Sequence, residues 1–137
     1  MLTGVVITIP SLPHGFNVVE AVKEAWIQIR FEAPIMATTI ESTTIDSQVR
    51  YNLNYIVPSI SDIADWTEKT FHHVPSSLGL DEFKAKVASE RHHLIVGEGN
   101  FASRLYLGAD EGGNDRYHLY YAAYHAVTDV RGSFAVC

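Results

Sequence analysis

Arg116-Tyr117-His118-Leu119-Tyr120-Tyr121-Ala122-Ala123 is the stretch on which the fold turns. In an extended chain successive side chains point to opposite faces. Tyr117, Leu119, Tyr121, Ala123 and the following His125 therefore share one face, and His118, Tyr120, Ala122 and Tyr124 the other. Both sets are mainly apolar and aromatic. Such a strand has no wet side and belongs in the interior of a sheet covered on both faces. Phe101 to Leu107 reads as a second strand, and the polar, glycine-rich run from Gly108 to Asp115 between the two suits a long hairpin.

Toward the N-terminus, Gly4-Val5-Val6-Ile7-Thr8-Ile9 is β-branched and stops at Pro10, the pattern of a buried strand. Asn17 opens a helix with Glu20 as its capping-box-like partner, and Val18, Val22, Ala25, Trp26 and Ile29 form one apolar stripe before Pro34 ends it. Ile35 to Ile40 is a second β-like run. From Val49 to Val57 the odd positions are apolar while Arg50, Asn52 and Asn54 are polar, which predicts a strand with one wet face, closed by Pro58. Ser59 or Ser61 caps a second helix with Ile63, Trp66, Thr70 and Phe71 on one side, ahead of Pro75 and a Ser/Gly turn. Asp81 to Arg91 is a weaker helical segment. No repeat or linker interrupts the pattern, so residues 1–137 are expected to form one domain of α/β (α+β) type, a mixed β-sheet flanked by helices.

A chain of 137 residues with 47% hydrophobic and 19% charged residues can bury roughly two-thirds of its unfolded surface without staples. Its net charge of -6 and its scattered Lys and Arg argue against a nucleic-acid or anionic-membrane surface. The single cysteine, Cys137, leaves no internal disulfide and fits a reducing cytosol. The apolar run at Met1 to Pro10 has no basic residue ahead of it and is too short for a signal or a span; the expectation is a soluble, cytoplasmic protein with no membrane partner.

Seven histidines raise the question of a metal. The pairs His72-His73 and His92-His93 are adjacent, so their rings point apart rather than onto one ion, and a solvated or element-terminal role is expected. His14 and His118 are read as structural, Gly97-Glu98-Gly99-Asn100 as a turn, and no metal site is expected. What remains is Tyr124-His125-Ala126-Val127-Thr128-Asp129-Val130-Arg131-Gly132. It puts an imidazole at the exit of an aromatic-rich strand and a carboxylate at a helix start, an arrangement suited to a general base. The helix expected from Asp129 carries Phe134, Ala135 and Val136 and has no stop signal after it, so the chain is expected to end in mid-element.

Tyr124 to Gly132, with the β-like Tyr117 to Ala123 ahead of it, resembles the His-x-x-x-Asp active-site motif of the chloramphenicol-acetyltransferase-like superfamily. That group includes acyl-CoA-dependent acyltransferases of plants and fungi and the condensation domains of peptide synthetases. The upstream order is similar to the N-terminal half of the fold: a strand, a Trp-containing helix, a Pro34-Ile35-Met36-Ala37 strand, then further strands and helices. Within the superfamily the chain most resembles fungal trichothecene-type O-acetyltransferases. The resemblance implies that His125 is the general base and that Asp129 is structural, holding the loop through an arginine that the sequence does not identify. It implies acyl-CoA, acetyl-CoA above all, as co-substrate, a small-molecule hydroxyl or amine as acceptor, and no tightly bound cofactor.

The chain departs from the family in three places. Tyr124 stands where condensation domains carry a second histidine, which favours free acyl-CoA over a carrier-bound donor. Val130 stands where a glycine usually follows the aspartate. The second motif, Asp-Phe-Gly-Trp-Gly, and the C-terminal half that walls the tunnel are missing. The expectation is an N-terminal acyltransferase subdomain, a fragment or one subunit of a split protein, with Phe134 to Cys137 buried against a second polypeptide that supplies the rest. Two other readings stand beside it: a same-fold enzyme that cyclises a bound metabolite, and a non-catalytic interaction module.

Overall fold

The computed structural model describes residues 2–8, 12–90, 100–113 and 115–124. In chain order the elements are β1 (Leu2–Thr8), α1 (Val18–Glu32), a 3-10 turn (Pro34–Ala37), β2 (Thr39–Ile45), β3 (Gln48–Asn54), α2 (Ile60–Thr70), β4 (Phe71–Leu78), α3 (Leu80–Glu90), β5 (Ser103–Asp110) and β6 (Arg116–Ala123). The sheet order is β1-β6-β5-β4, with β4 and β5 parallel and the other pairs antiparallel. The expected mixed sheet flanked by helices is what forms, and β6 is an interior strand.

Both faces of β6 are covered, by different helices. On one side Trp26 of α1 and Trp66 of α2 pack with Met36, Ile40, Leu105, Tyr121 and Ala123. On the other, Phe83 and Val87 of α3 pack with Val74, Tyr106, Tyr120 and Ala122. The alternation of residues along β6 is therefore the division of the core into two layers.

Local chemistry sets the element ends. The Asn17 side chain accepts from the Glu20 N–H at 3.2 Å, and α1 stops before Pro34, which cannot continue it. Ile35 to Ala37 do not form the expected strand. Pro34 starts a 3-10 turn instead, and the Thr38 hydroxyl donates to the Ile35 carbonyl at 2.8 Å, so extended structure begins only at Thr39. Ser59 heads α2 in a capping box with Asp62, whose carboxylate takes the Ser59 N–H at 2.8 Å. The Ser59 hydroxyl also donates to the Asp62 carboxylate, at 2.6 Å, and this bond first and the backbone one second hold the Asp62 carboxyl below its usual pKa.

The sequence reading missed β4. Helix α2 ends at Thr70, and Phe71-His72-His73-Val74 is extended beside β5. Pro75 interrupts the ladder, with a register shift between Val74 and Leu78; this is tolerated because β4 is the end strand of its sheet. A parallel β4–β5 pair needs a long crossover, and α3 lies in it. The β5–β6 connection is shorter than expected: β5 runs through Asp110, and Gly113 and Asp115 at positive φ complete the reversal.

β2 and β3 form a separate two-stranded sheet, turned by Asp46 and Ser47, both at positive φ. β3 ends at Asn54 rather than at Val57. Its alternating apolar set is in water, with Val49 57%, Tyr51 66% and Leu53 45% exposed. The expected dry face therefore exists as a pattern but is uncovered. Among the described residues no helix is long and apolar enough to cross a membrane.

At Gly108 on β5 the Phe83 ring of α3 lies against the strand: a β-carbon there would overlap the ring, 2.7 Å from Cδ2. Gly108→Ala should lower the unfolding free energy in urea by about 1–3 kcal/mol, the range for overpacking a filled core. In a Phe83→Leu background the penalty should fall to less than half. An equal penalty in both backgrounds would show that the ring contact is not its cause.

Candidate functional site

The C-terminal end of β6 leads into the segment on which the expected base, His125, falls. It is pinned by successive backbone bonds: the Ala102 N–H donates to the Thr38 carbonyl at 2.9 Å, and the Tyr124 N–H donates to the Ala102 carbonyl at 3.0 Å. Thr38 closes the 3-10 turn, Ala102 precedes β5 and Tyr124 follows β6, so three segments converge on the strand end. His125 and Asp129, the expected base and its structural partner, lie outside the described residues, as do His92, His93 and Gly97 to Gly99.

Beneath the strand end the core is polar in places. Tyr121 Oη and Ser103 Oγ lie 3.1 Å apart, and the Tyr121 hydroxyl donates to Met36 Sδ at 3.1 Å. Trp26 and Trp66 stack with centroids 5.3 Å apart. The Trp26 indole N–H donates to Thr70 Oγ1 at 3.0 Å, and the Thr70 hydroxyl donates to the Trp66 carbonyl at 2.7 Å. These bonds fix the rotamers of the large side chains beneath β6, which a site that must hold a base in place requires.

Of the histidines among the described residues, His118 is structural as expected, whereas His14, also read as structural, is exposed. His118 is fully buried, tilted against Phe83, and its Nε2 donates to the Leu78 carbonyl at 3.0 Å with Asp110 Oδ2 at 3.6 Å. His72 stacks on Tyr106 at 4.9 Å, while His14 and His73 are exposed. His118 is a strut within the sheet that ties β6 to the end of β4 across β5. Among the described residues no cluster of three His, Cys, Asp or Glu could hold a metal ion.

Two concavities flank α2. An open groove of about 560 Å³ runs between α1 and α2 past Val19, Lys23, Ile27, Ile63 and Phe71. A cavity of about 300 Å³ lies at the junction of α1, β2, β3 and α2, with Arg30 on its wall. Sequence reasoning did not single out Arg30. It lies four residues after Trp26 and thus on the buried stripe of α1, a spacing that marks it as a charged group on an apolar face.

The fold matches a fragment of the chloramphenicol-acetyltransferase-like acyltransferase fold. It is similar to the trichothecene 15-O-acetyltransferase of Fusarium sporotrichioides, with a TM-score of 0.68 and 19% identity over 98% of this chain and 28% of that one. The starter condensation domain of rhizomide synthetase follows at 0.57 and 16%, covering 98% of this chain and 29% of the other. A condensation domain of the enacyloxin polyketide synthase gives 0.52 and 13%, covering 98% and 24%. The chain spans less than a third of each of these structures. No protein-family profile and no curated protein sequence matches it. At such identities the likeness is one of fold, and at that level it bears out the resemblance drawn from the sequence.

Tyr121→Phe removes the hydroxyl and leaves the buried Ser103 Oγ with only the 3.9 Å contact to Met36 Sδ. The expected cost is about 1–3 kcal/mol, the penalty for stranding a buried polar group. Adding Ser103→Ala should recover part of it. A double-mutant cycle in urea measures the coupling, and strict additivity would rule out a shared hydrogen bond.

Proposed function

We propose that the chain is the N-terminal subdomain of an acyltransferase that moves an acyl group from an acyl-CoA thioester, acetyl-CoA in the simplest case, to a hydroxyl or amine of a small acceptor. The observation that carries this reading is the pairing of a fold similar to an O-acetyltransferase with a doubly buried strand that ends at Ala123, two residues ahead of the His125-x-x-x-Asp129 string. Neutral His125 takes the proton from the acceptor as its oxygen or nitrogen attacks the thioester carbonyl. The carbon–sulfur bond breaks as the new bond to the acceptor is completed, and the imidazolium returns the proton to the departing CoA thiolate. Asp129 holds the turn that carries His125. Tyr124, in the place of a second histidine, favours free acyl-CoA as donor, and acyl-CoA supply in the cytoplasm fits the absence of any membrane-spanning helix among the described residues.

A second polypeptide or a further segment of the same protein supplies the other wall of the site, because a base alone cannot align two substrates or exclude water. Two observations support this: the chain spans 28% of the similar acetyltransferase, and Val49, Tyr51 and Leu53 present an apolar stripe to water.

The test is release of CoA thiol from acetyl-CoA with candidate alcohol and amine acceptors, using the assembly that carries both walls. His125→Ala should lower kcat at least about 100-fold, the low end of what a general base contributes, with the circular dichroism spectrum unchanged. Wild-type kcat should fall below about pH 6.5, near the unperturbed imidazole pKa, as His125 takes up a proton. Unchanged turnover in the alanine variant, or a rate that holds at low pH, would remove His125 as the base.

A further inference from the structure

The apolar surface that this fold leaves in water is concentrated in one place. Of the large hydrophobic side chains exposed among the described residues, most lie between Ile45 and Ile60, where Val49, Tyr51 and Leu53 of β3 are followed by Ile56, Val57 and Ile60, 77%, 81% and 89% exposed. Asp46 and Arg50 are the only charged residues in that stretch. Single exposed apolar side chains are ordinary, but a run of them with so little charge marks a surface that is covered in use.

The register of the hairpin shows where this face leads. Cross-strand partners share a face, so Val49 lies beside Thr44, Tyr51 beside Ser42 and Leu53 beside Ile40. Ile40 is buried with Trp26 and Trp66 in the layer against β6. The stripe is therefore that core layer continued outward along the hairpin into water. Its root adjoins the end of β6: Thr39, the first residue of β2, is bridged to Phe101, and the neighbouring Thr38 and Ala102 carry the bonds that hold Tyr124.

The sheet β1-β6-β5-β4 has helices on both faces and offers no comparable surface among the described residues. A chain that spans 28% of the acetyltransferase it is similar to leaves most of such a molecule to pack against it. We propose that the Val49–Tyr51–Leu53 face of the β2–β3 hairpin, with the Ile56 to Ile60 tract that follows it, is the docking surface for the polypeptide, separate or continuous with this chain, that supplies the second wall. Its counterpart is apolar and uncharged, and docking here sets that wall beside the end of β6. The proposal rests on the acyl-transfer reading only in requiring a second wall. A lipid surface is the poorer match, because Arg50 is the one cation in the tract and the net charge of the chain is -6.

The test is hydroxyl-radical footprinting read by mass spectrometry, on the 137-residue chain alone and on the assembly that carries both walls. Tyr51, Ile56 and Val57 should lose most of their oxidation in the assembly, while Phe16 and Phe31, 48% and 50% exposed elsewhere on the chain, react equally in both. Tyr51→Lys, at a position exposed enough to leave the circular dichroism spectrum of the isolated chain unchanged, should restore oxidation of Ile56 and Val57 in the assembly; Tyr51→Phe should not. Equal oxidation of Tyr51 in the two samples would overturn the proposal. So would shielding of Tyr51 in the isolated chain by phosphatidylcholine–phosphatidylserine vesicles or by a second copy. Failure here is separable from failure of the acyl-transfer reading: a shielded Tyr51 with turnover unchanged in His125→Ala removes the base and keeps the docking surface, and an exposed Tyr51 with that turnover lost does the reverse.

Discussion

A strand that is apolar on both faces cannot be left against water on either. Tyr121 and Ala123 need α1 and α2 above them, while Tyr120 and Ala122 need α3 below. At roughly 25 cal/mol per Å² of apolar area removed from water, leaving either face bare would forfeit several kcal/mol, a large share of a domain's net stability. The order β1-β6-β5-β4 follows from the same demand, since it keeps β6 off both edges and gives the end position to β4, which carries a proline.

The layer containing α1 and α2 carries most of the polar detail. Two stacked tryptophans, the Thr70 relay, the Tyr121–Ser103–Met36 contacts and the Arg30 guanidinium over Trp66 lie within it. The layer containing α3 is plainer, with Phe83 filling the space above Gly108 and His118 strapping the strands together. Specific geometry is therefore concentrated on the face that also carries the cavity. Among the described residues the Trp66 indole N–H is buried there without an acceptor, as are two Arg30 nitrogens, whereas in the α3 layer His118 Nδ1 is so stranded.

The parts of the fold that were legible in the sequence are those written in short-range patterns. The doubly buried β6, the caps at Asn17 and Ser59, the stop at Pro34 and the α3 segment all depend on neighbours within one or two turns. The misread segments are those in which long-range pairing overrode local pattern. Phe71 continues the apolar stripe of α2 by spacing, yet β5 offers it and the residues after it a ladder. Ile35 to Ala37 open an apolar run that reads as extended, yet a proline start and the Thr38 hydroxyl fold them into a turn. The alternation at Val49 to Val57 correctly marked a strand but assumed a cover that the described residues do not supply.

The sequence by itself determined the mixed α/β class, the interior place of β6 and the His125-x-x-x-Asp129 string at its exit, because period-two burial, capping and motif spacing are local properties of the chain. The tertiary structure alone decided which strand lies beside which, that β4 exists, and that Arg30 faces a cavity with Glu41 and Asp62 on its wall. Those facts depend on contacts between residues far apart in the chain, where the cost of loop closure and the match of packed surfaces select the partner. No local pattern encodes that choice.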